Sequence, residues 1–295
     1  GTRPLVGVPS AAAGLSAPTV YHRSMRPVID HVPFTGASLD ALVERFETAG
    51  FAPEYGGEHP GAGTEMSMLV FPDGSYVELV APTQPETGWW GEFFDAADPL
   101  AGPSDWCVET GSVHAECQRL IDHDVEVHGP SRGRRERPDG RTVEWDSAFL
   151  DPADRHLLPF LVSDRTPREY RVPDANNFGA PVSGVECVVL AVPDLEAAVD
   201  RFQRLYRFPD PNRDYDDEFG DLATFPGQDV VLSEPSSGWV ADRVDQFGPV
   251  PATVLLTADV DDARHRHPLD GGREWFDRRV RMVEGLDGYL GVVSR

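Results

Sequence analysis

The stretch from residue 185 to residue 205 reads VECVVLAVPDLEAAVDRFQRL, and it decides the fold. Its first half contains the apolar run 187–192, which predicts a short buried strand. Asp194 then stands where a helix N-cap is expected, because its carboxylate can accept a hydrogen bond from the first helical turn. The apolar side of the predicted helix has the spacing of an amphipathic helix and consists of Leu195, Val199, Phe202 and Leu205.

The same order of elements occurs four times along the chain. Predicted helices start near residues 38, 112, 194 and 259; a short strand precedes each, and strands with turn signals follow. Strong turns are predicted at 72–74 and 138–140, both Pro-Asp-Gly. One such βαβββ unit cannot cover both faces of its sheet, so units are expected to pair around a cavity. The predicted fold class is α+β, with four βαβββ modules paired into two half-open barrels.

The composition shifts along the chain divide it into four parts. Residues 1–24 are small, apolar and Pro-containing, and they are predicted to form a flexible N-terminal extension. Residues 25–163 hold modules one and two, and residues 183–295 hold modules three and four. The stretch between them, 164–182, is rich in Pro, Arg, Asp and Asn and is predicted to be a linker.

Charge and composition exclude several classes of protein. The 295 residues carry a net charge of −24, and all 26 basic residues are arginine. This charge argues against nucleic acid and anionic membranes as partners, because both are polyanions. Three cysteines are too few for a disulfide framework, and no apolar run is long enough to span a membrane. The expected partner is a small molecule in the cytoplasm, and nothing in the sequence indicates an oligomeric state.

The acidic surface invites two interpretations. A dense carboxylate surface without lysine is typical of proteins from halophilic archaea, where it stays hydrated in molar salt. Alternatively, a GC-rich genome favours arginine over lysine, and the protein is simply acidic. The halophilic interpretation predicts a fold that needs salt to screen its own charge.

Several motifs resemble those of a known superfamily. The phrase at 191–199, with Phe202, resembles the strand-to-helix segment of the vicinal oxygen chelate superfamily. Residues 27–163 resemble its glyoxalase-like domain family more closely. The matching segments are Asp30-His31-Val32, His59-Pro60-Gly61-Ala62-Gly63-Thr64, Tyr76-Val77-Glu78-Leu79, Ser131-Arg132, Arg137-Pro138-Asp139-Gly140, Trp145 and Pro159-Phe160. The resemblance implies half-open barrels of the glyoxalase, bleomycin-resistance and dioxygenase kind.

This resemblance also implies a metal site with a His from the first strand and a Glu from the last strand of a module. In module one these are His31 and Glu78, which are the predicted catalytic residues and the predicted ligands of one divalent ion, Zn, Fe, Mn or Ni. A hydrogen-bonded polar pair facing a cavity is the alternative. The other modules offer no complete set at the corresponding positions. These fall at Trp106 or Cys107 with Leu158 or Pro159 in module two, at Glu186 with Val231 in module three, and at Thr253 or Val254 with Val292 in module four. Glu65, Cys107, His156 or water would then complete the metal site.

Six further residues are predicted to contact the substrate. His59, Thr64 and Glu65 belong to the glycine-containing segment between the first helix and the next strand. Arg132 and Arg137 come from the one basic cluster in the chain and suit an anionic ligand. Trp145 is expected at the cavity. The alternatives are a loop held by its own hydrogen bonds, arginines paired with nearby acids, and an aromatic residue of the core.

Two functions follow from these predictions. The first is metal-assisted lyase, isomerase or dioxygenase chemistry in the N-terminal barrel. The superfamily's dioxygenases need two histidines and a glutamate in one barrel, and the module pattern supplies only His31 and Glu78. The second function is non-catalytic sequestration of a small molecule, as in bleomycin-resistance proteins. The sequence leaves open whether the protein is an enzyme.

Overall fold

The computed structural model describes residues 27–59, 61–84, 88–94, 102–150, 156–175 and 181–294. The predicted extension at 1–24 lies outside these residues. The strands of the first half are β1 Val28–Thr35, β2 Glu54–His59, β3 Thr64–Val70, β4 Tyr76–Pro82, β5 Gly102–Pro103, β6 Cys107–Glu109, β7 Val127–Glu136, β8 Thr142–Leu150 and β9 Phe160–Asp164. Those of the second half are β10 Val182–Ala191, β11 Asn212–Asp216, β12 Gly220–Thr224, β13 Val230–Glu234, β14 Val250–Ala258, β15 Arg273–Trp275, β16 Arg278–Met282 and β17 Leu290–Val293.

The helices are short, and the longest of them belong to the predicted modules. They are α1 Leu39–Thr48, α2 Gly91–Phe94, α3 Val113–Ile121, α4 Arg168–Arg171, α5 Leu195–Tyr206, α6 Trp239–Phe247 and α7 Val260–Ala263. In α1, α3, α5 and α7 the N-cap side chain accepts a backbone hydrogen bond, and in α5 this side chain is the predicted Asp194. No helix among the described residues is long and apolar enough to cross a membrane.

The strands form two curled sheets, one for each half of the chain. The first sheet has the order β2-β3-β4-β1-β6-β9-β8-β7, and β5 adds to β1. The second has the order β11-β12-β13-β10-β14-β17-β16-β15. In each sheet two modules meet through antiparallel first strands, β1 with β6 and β10 with β14. The predicted α+β fold with two half-open barrels is confirmed.

The two barrels pack against each other through their helical sides. One continuous apolar core contains Phe46 of α1, Leu120 of α3 and Phe202 of α5. Arg119 of α3 donates a hydrogen bond to the Leu205 carbonyl of α5. Burial of this apolar surface stabilises both barrels at once, because neither helical side is left to water.

The inside of the second barrel is filled with apolar side chains. Residues of its strands and of α6 form a separate buried cluster consisting of Cys187, Val189, Ala191, Phe219, Leu222, Val231, Val240, Val244, Ala252, Leu255, Trp275, Val280, Met282 and Val293. The fourth module thus places Val293 inside its barrel, whereas the predicted Val292 belongs to the core shared by the two barrels. A valine at either position cannot bind a metal.

Strand register also changes which residue of the second module corresponds to Glu78. His31 lies opposite Tyr76, and Glu78 is two residues further along β4. In the second module Cys107 lies opposite Phe160, so the position that corresponds to Glu78 is Val162. The predicted Leu158 and Pro159 precede β9.

The stretch predicted as a linker contributes to the first barrel. It contains α4, and the Arg171 side chain of α4 is buried against β1 and β4. The guanidinium of Arg171 donates hydrogen bonds to the Asp30 carboxylate and the Tyr76 hydroxyl. Residues 168–171 therefore fix the wall of the first barrel.

Candidate functional site

The first barrel encloses a cavity of about 380 Å³, which is the size of a small-molecule site. Its wall includes side chains on the inner faces of β1, β3, β4, β8 and β9, because alternate residues of a strand point to the same face. Six of the eight predicted site residues border it, namely His31, His59, Thr64, Glu78, Arg132 and Trp145.

His31 is held by contacts on two sides of its ring. Its Nδ1 lies 2.6 Å from Oδ1 of Asp30, and its ring stacks on Tyr76 with centroids 4.5 Å apart. Phe160 packs edge-on against it at 5.3 Å. These contacts leave Nε2 facing the carboxylate of Glu78, with 3.6 Å between Nε2 and Oε2.

His59 approaches the same carboxylate from the opposite side of the site. It ends β2, where it pairs with Thr64, and its Nδ1 lies 3.2 Å from the Thr64 hydroxyl. Its Nε2 lies 3.9 Å from Oε1 of Glu78. Burial lowers the pKa of His59, and the neighbouring charge of Arg135 lowers it further against the opposing effect of Glu78. The imidazole is therefore neutral at pH 7, as a metal ligand or a general base must be.

Asp30 belongs to a buried ion network behind His31. Burial alone would raise the pKa of this carboxyl, but hydrogen bonds from Arg171 and His31 outweigh burial and hold the pKa well below its usual value. Arg168 also pairs with Asp30, at 2.5 Å. An ionised Asp30 keeps Nδ1 of His31 protonated, so the lone pair of His31 is on Nε2, toward Glu78.

A more compact trio of potential ligands lies beside this network but suits a metal poorly. One ligand atom each from Asp30, His31 and Cys107 lie within 4.8 Å of one another. Both oxygens of Asp30 already accept hydrogen bonds from Arg171. Burial, together with the charge of Asp30, raises the pKa of the Cys107 thiol well above its usual value, so it stays protonated.

The donor set around Glu78 suits a divalent ion better. Two imidazole nitrogens face one carboxylate, and the Nδ1 of each imidazole has a partner that orients the ring. Atoms that share a metal at about 2.0–2.2 Å lie roughly 3–4 Å apart, and each nitrogen has about this spacing from one oxygen of Glu78, His31 from Oε2 and His59 from Oε1. The ligand atoms of the three residues are not all within 4.8 Å of one another, so this site is more open than the trio at Asp30. Two histidines and one carboxylate leave coordination positions open, as a catalytic metal requires.

Two predicted substrate contacts lie outside the cavity. Glu65 is next to Thr64 on β3 and points to the opposite face, where it hydrogen-bonds Tyr55. Arg137 lies after β7 and donates to the backbone carbonyls of Glu169 and Tyr170, so it anchors α4. Neither residue lines the cavity.

Arg132 and His156 also have partners outside the site. The backbone of Arg132 borders the cavity, but its guanidinium pairs with Glu144 on the outer face of the sheet, at 3.1 Å. His156 is buried 3.4 Å from both Asp105 and Glu92. It therefore does not complete the site around Glu78.

The sequence prediction missed several cavity residues. Arg135, Arg171, Tyr76, Phe149 and Phe160 all border the cavity. Arg135 is two residues from Gly133, which lies opposite Trp145 in the β7–β8 pair, so strand alternation places Arg135 on the same face as Trp145. That alternation was the available signal for Arg135.

Comparison with known proteins agrees with this architecture. The model of the family described as "glyoxalase-like domain" matches residues 29–206, which is more than half of the chain. The chain belongs to the glyoxalase-like domain family. A search of curated proteins finds no match.

Solved structures of this family's fold extend the similarity to both barrels. A hypothetical protein from Staphylococcus aureus is 13% identical, with a TM-score of 0.60, over 90% of this chain and 98% of that one. The Mn(II)-bound glyoxalase of Novosphingobium aromaticivorans is 14% identical, with a TM-score of 0.58, over 91% of this chain and 82% of that one. A 4-hydroxymandelate synthase variant from Streptomyces coelicolor is 12% identical, with a TM-score of 0.57, over 91% and 92%. At these identities the similarity shows the fold alone.

Proposed function

We propose that the first barrel is the active site of a metal-dependent enzyme that acts on a small organic molecule. His31 and His59 would bind one divalent ion through Nε2, and Glu78 would bind it through its carboxylate. The single observation that carries this proposal is the approach of both Nε2 atoms to Glu78, at 3.6 and 3.9 Å. When bound, such an ion polarises an oxygen of the substrate or holds it beside a second reactant.

The chain's own residues define the rest of the site. Asp30 fixes the tautomer of His31, and Thr64 orients the ring of His59. The apolar wall formed by Phe149 and Phe160, whose rings stack at 4.9 Å, keeps water from one side of the cavity. Water exclusion strengthens the electrostatic interactions of a substrate with the polar residues.

The donor set favours one of the reaction classes predicted from the sequence. Two histidines and one carboxylate with open positions are typical of non-haem iron enzymes that use dioxygen. The module pattern supplies one histidine to this barrel, and β2 supplies the second. We therefore place dioxygenase chemistry ahead of lyase and isomerase chemistry, with Fe(II) or Mn(II) as the ion.

Metal binding is the decisive test. Titration of Mn(II) into the wild-type protein should show one site, and either Glu78→Gln or His59→Gln should weaken it by at least 100-fold. Glu65→Gln is the matched control, because Glu65 is a nearby carboxylate of the same barrel that faces away from the cavity. The proposal fails if the wild type binds no divalent ion, or if Glu65→Gln weakens binding as much as Glu78→Gln.

A second function is favoured by the aromatic wall. Trp90 packs edge-on against Phe149 and Phe160, at 6.3 and 6.1 Å, and extends the apolar side of the cavity. A protein that sequesters an apolar compound needs this wall and no metal. Quenching of tryptophan fluorescence by an aromatic compound, in a wild-type protein that binds no divalent ion, would support sequestration over catalysis.

A further inference from the structure

The arginines that border the first cavity differ in how their charge is balanced. Arg171 uses all five of its N–H donors, in bonds to Asp30, Asp164 and Tyr76. Two of its acceptors are carboxylates, so its positive charge is neutralised inside the protein. Arg132 is paired with Glu144 on the outer face, and Arg134 is exposed to solvent, so neither charge is buried.

Arg135 is buried, but no carboxylate pairs with its guanidinium among the described residues. Its side chain is on the inner side of β7, and the residue is 4% exposed. One terminal nitrogen donates to the Gly56 carbonyl and the other to the Arg171 carbonyl, at 3.0 Å. These bonds use two of five N–H donors, and no carboxylate among the described residues lies within 4.0 Å of it. A buried cation without a counter-charge is costly, so a ligand that supplies the charge would be bound strongly.

The rest of the cavity offers little compensation for this charge. The chain contains 50 acidic residues, yet among the described residues Glu78 is the one carboxylate that borders the cavity. If Glu78 binds a cation, as proposed above, its charge is used there. The positive charge of Arg135 then remains for the ligand.

The cavity wall is shaped for an apolar ring. A Cβ on Gly133 would lie 2.1 Å from the indole of Trp145, so the absence of a side chain lets that indole lie against the backbone of β7. Phe149 and Phe160 form the neighbouring wall. Flat aromatic surfaces of this kind bind rings by stacked and edge-on contacts.

We infer that the ligand of the first barrel is a small aromatic or similarly apolar carboxylate, whose carboxylate group binds Arg135. A carboxylate fits because its single negative charge balances one guanidinium and its two oxygens match the fork of N–H donors. This inference rests on the proposed function, which places the ligand in the same cavity and assigns the charge of Glu78 to the ion. It names the substrate class and the residue that selects it.

The test compares benzoate with benzamide, which have the same shape and differ in charge. Titrations are made on full-length protein with Mn(II) and without it, because without an ion the carboxylate of Glu78 also faces the ligand. The Arg135 variants then separate a preference due to this residue from one due to a bound ion. Benzoate should bind the wild type at least 10-fold more tightly than benzamide. Arg135→Gln should abolish this preference by weakening benzoate, and Arg135→Lys should keep part of it. Arg141→Gln, at an exposed arginine of the same hairpin that does not border the cavity, should bind like the wild type.

Several outcomes would overturn the inference. Equal binding of benzoate and benzamide by the wild type would do so, as would phenyl phosphate binding more tightly than benzoate. A preference that survives in folded Arg135→Gln would also overturn it. Should Arg135→Gln fail to fold, the wild-type comparison and Arg135→Lys decide the question. Mn(II) titrations of the same samples separate the two proposals, because a protein that binds Mn(II) without preferring benzoate retains the proposed function and loses this inference.

Discussion

At the scale of single residues, Asp30 determines both the orientation of His31 and the stability of its surroundings. Asp30→Asn removes the charge that balances Arg171 and Arg168, so the free energy of unfolding should fall by about 3–5 kcal/mol. The amide can also present an N–H to Nδ1 of His31, which favours the wrong tautomer, and Mn(II) affinity should fall 10- to 100-fold. Urea unfolding and Mn(II) titration measure the two effects. Asp139→Asn, at an exposed partner of Arg137, should change neither.

Individual residues also show how far the sequence predicts the site. His31 and Glu78 could be placed because they lie within apolar strands, at the two positions that the superfamily resemblance implies for metal ligands. The ligand role of His59 was not predicted, since β2 reads EYGGEH and has no apolar alternation to reveal a strand. Arg135 was hidden among five arginines, and its environment depends on Gly56 and Arg171, which are distant in sequence. Contacts of this kind come from tertiary packing and leave no local pattern.

At the scale of elements, the turn between β11 and β12 closes the second barrel through one carboxylate. Asp216 accepts hydrogen bonds from the Trp275 indole and from the backbone of Glu218 and Phe219, and its charge faces Arg273. Burial alone would raise the pKa of Asp216, but these partners outweigh burial and lower it. A depressed pKa in the folded state adds stability that is present above the unfolded value, about 4, and is lost as the pH falls below it.

This sign gives a prediction for the turn. At pH 6, Asp216→Ala should lower the free energy of unfolding by about 2 kcal/mol, and the difference from the wild type should shrink between pH 4 and pH 3. Urea unfolding of both proteins at pH 6, pH 4 and pH 3 measures this difference. Asp217→Ala removes the adjacent, exposed carboxylate and should cost little at either pH. A difference for Asp216→Ala that stays constant with pH would contradict the assignment.

Elements with strong local signals could be predicted, and short polar ones could not. The four module helices begin at capping residues and carry apolar residues at helical spacing, so their starts were predicted to within a residue or two. Strand β11 reads NRDYD and lies at the edge of its sheet, so it lacks the apolar alternation of a central strand. The α4 helix has four residues, and it acts through two arginines that a composition-based reading assigns to a linker.

At the scale of the whole molecule, the carboxylates are concentrated on the surface. Among the described residues the buried ones are Asp30, Glu78, Asp105, Glu116 and Asp146. With a net charge of −24 the surface repels itself, and this repulsion opposes the compact state wherever salt does not screen it. The fold should therefore be less stable in dilute buffer, where the Debye length reaches about 30 Å, than in molar salt, where it is about 3 Å.

The melting temperature in KCl tests this expectation and the proposed adaptation to high salt together. From 0.01 to 0.5 M KCl it should rise by about 10 °C, because screening of surface charge is worth a few kcal/mol here. Screening is nearly complete by 1 M, so screening alone predicts a plateau above that concentration. A protein adapted to molar salt should continue to gain stability up to 3 M. Sucrose at matched osmolality is the control, since it favours the compact state without screening charge. A melting temperature that does not change with KCl would contradict both the destabilising repulsion and the adaptation to high salt. A plateau above 1 M would support the repulsion and contradict the adaptation.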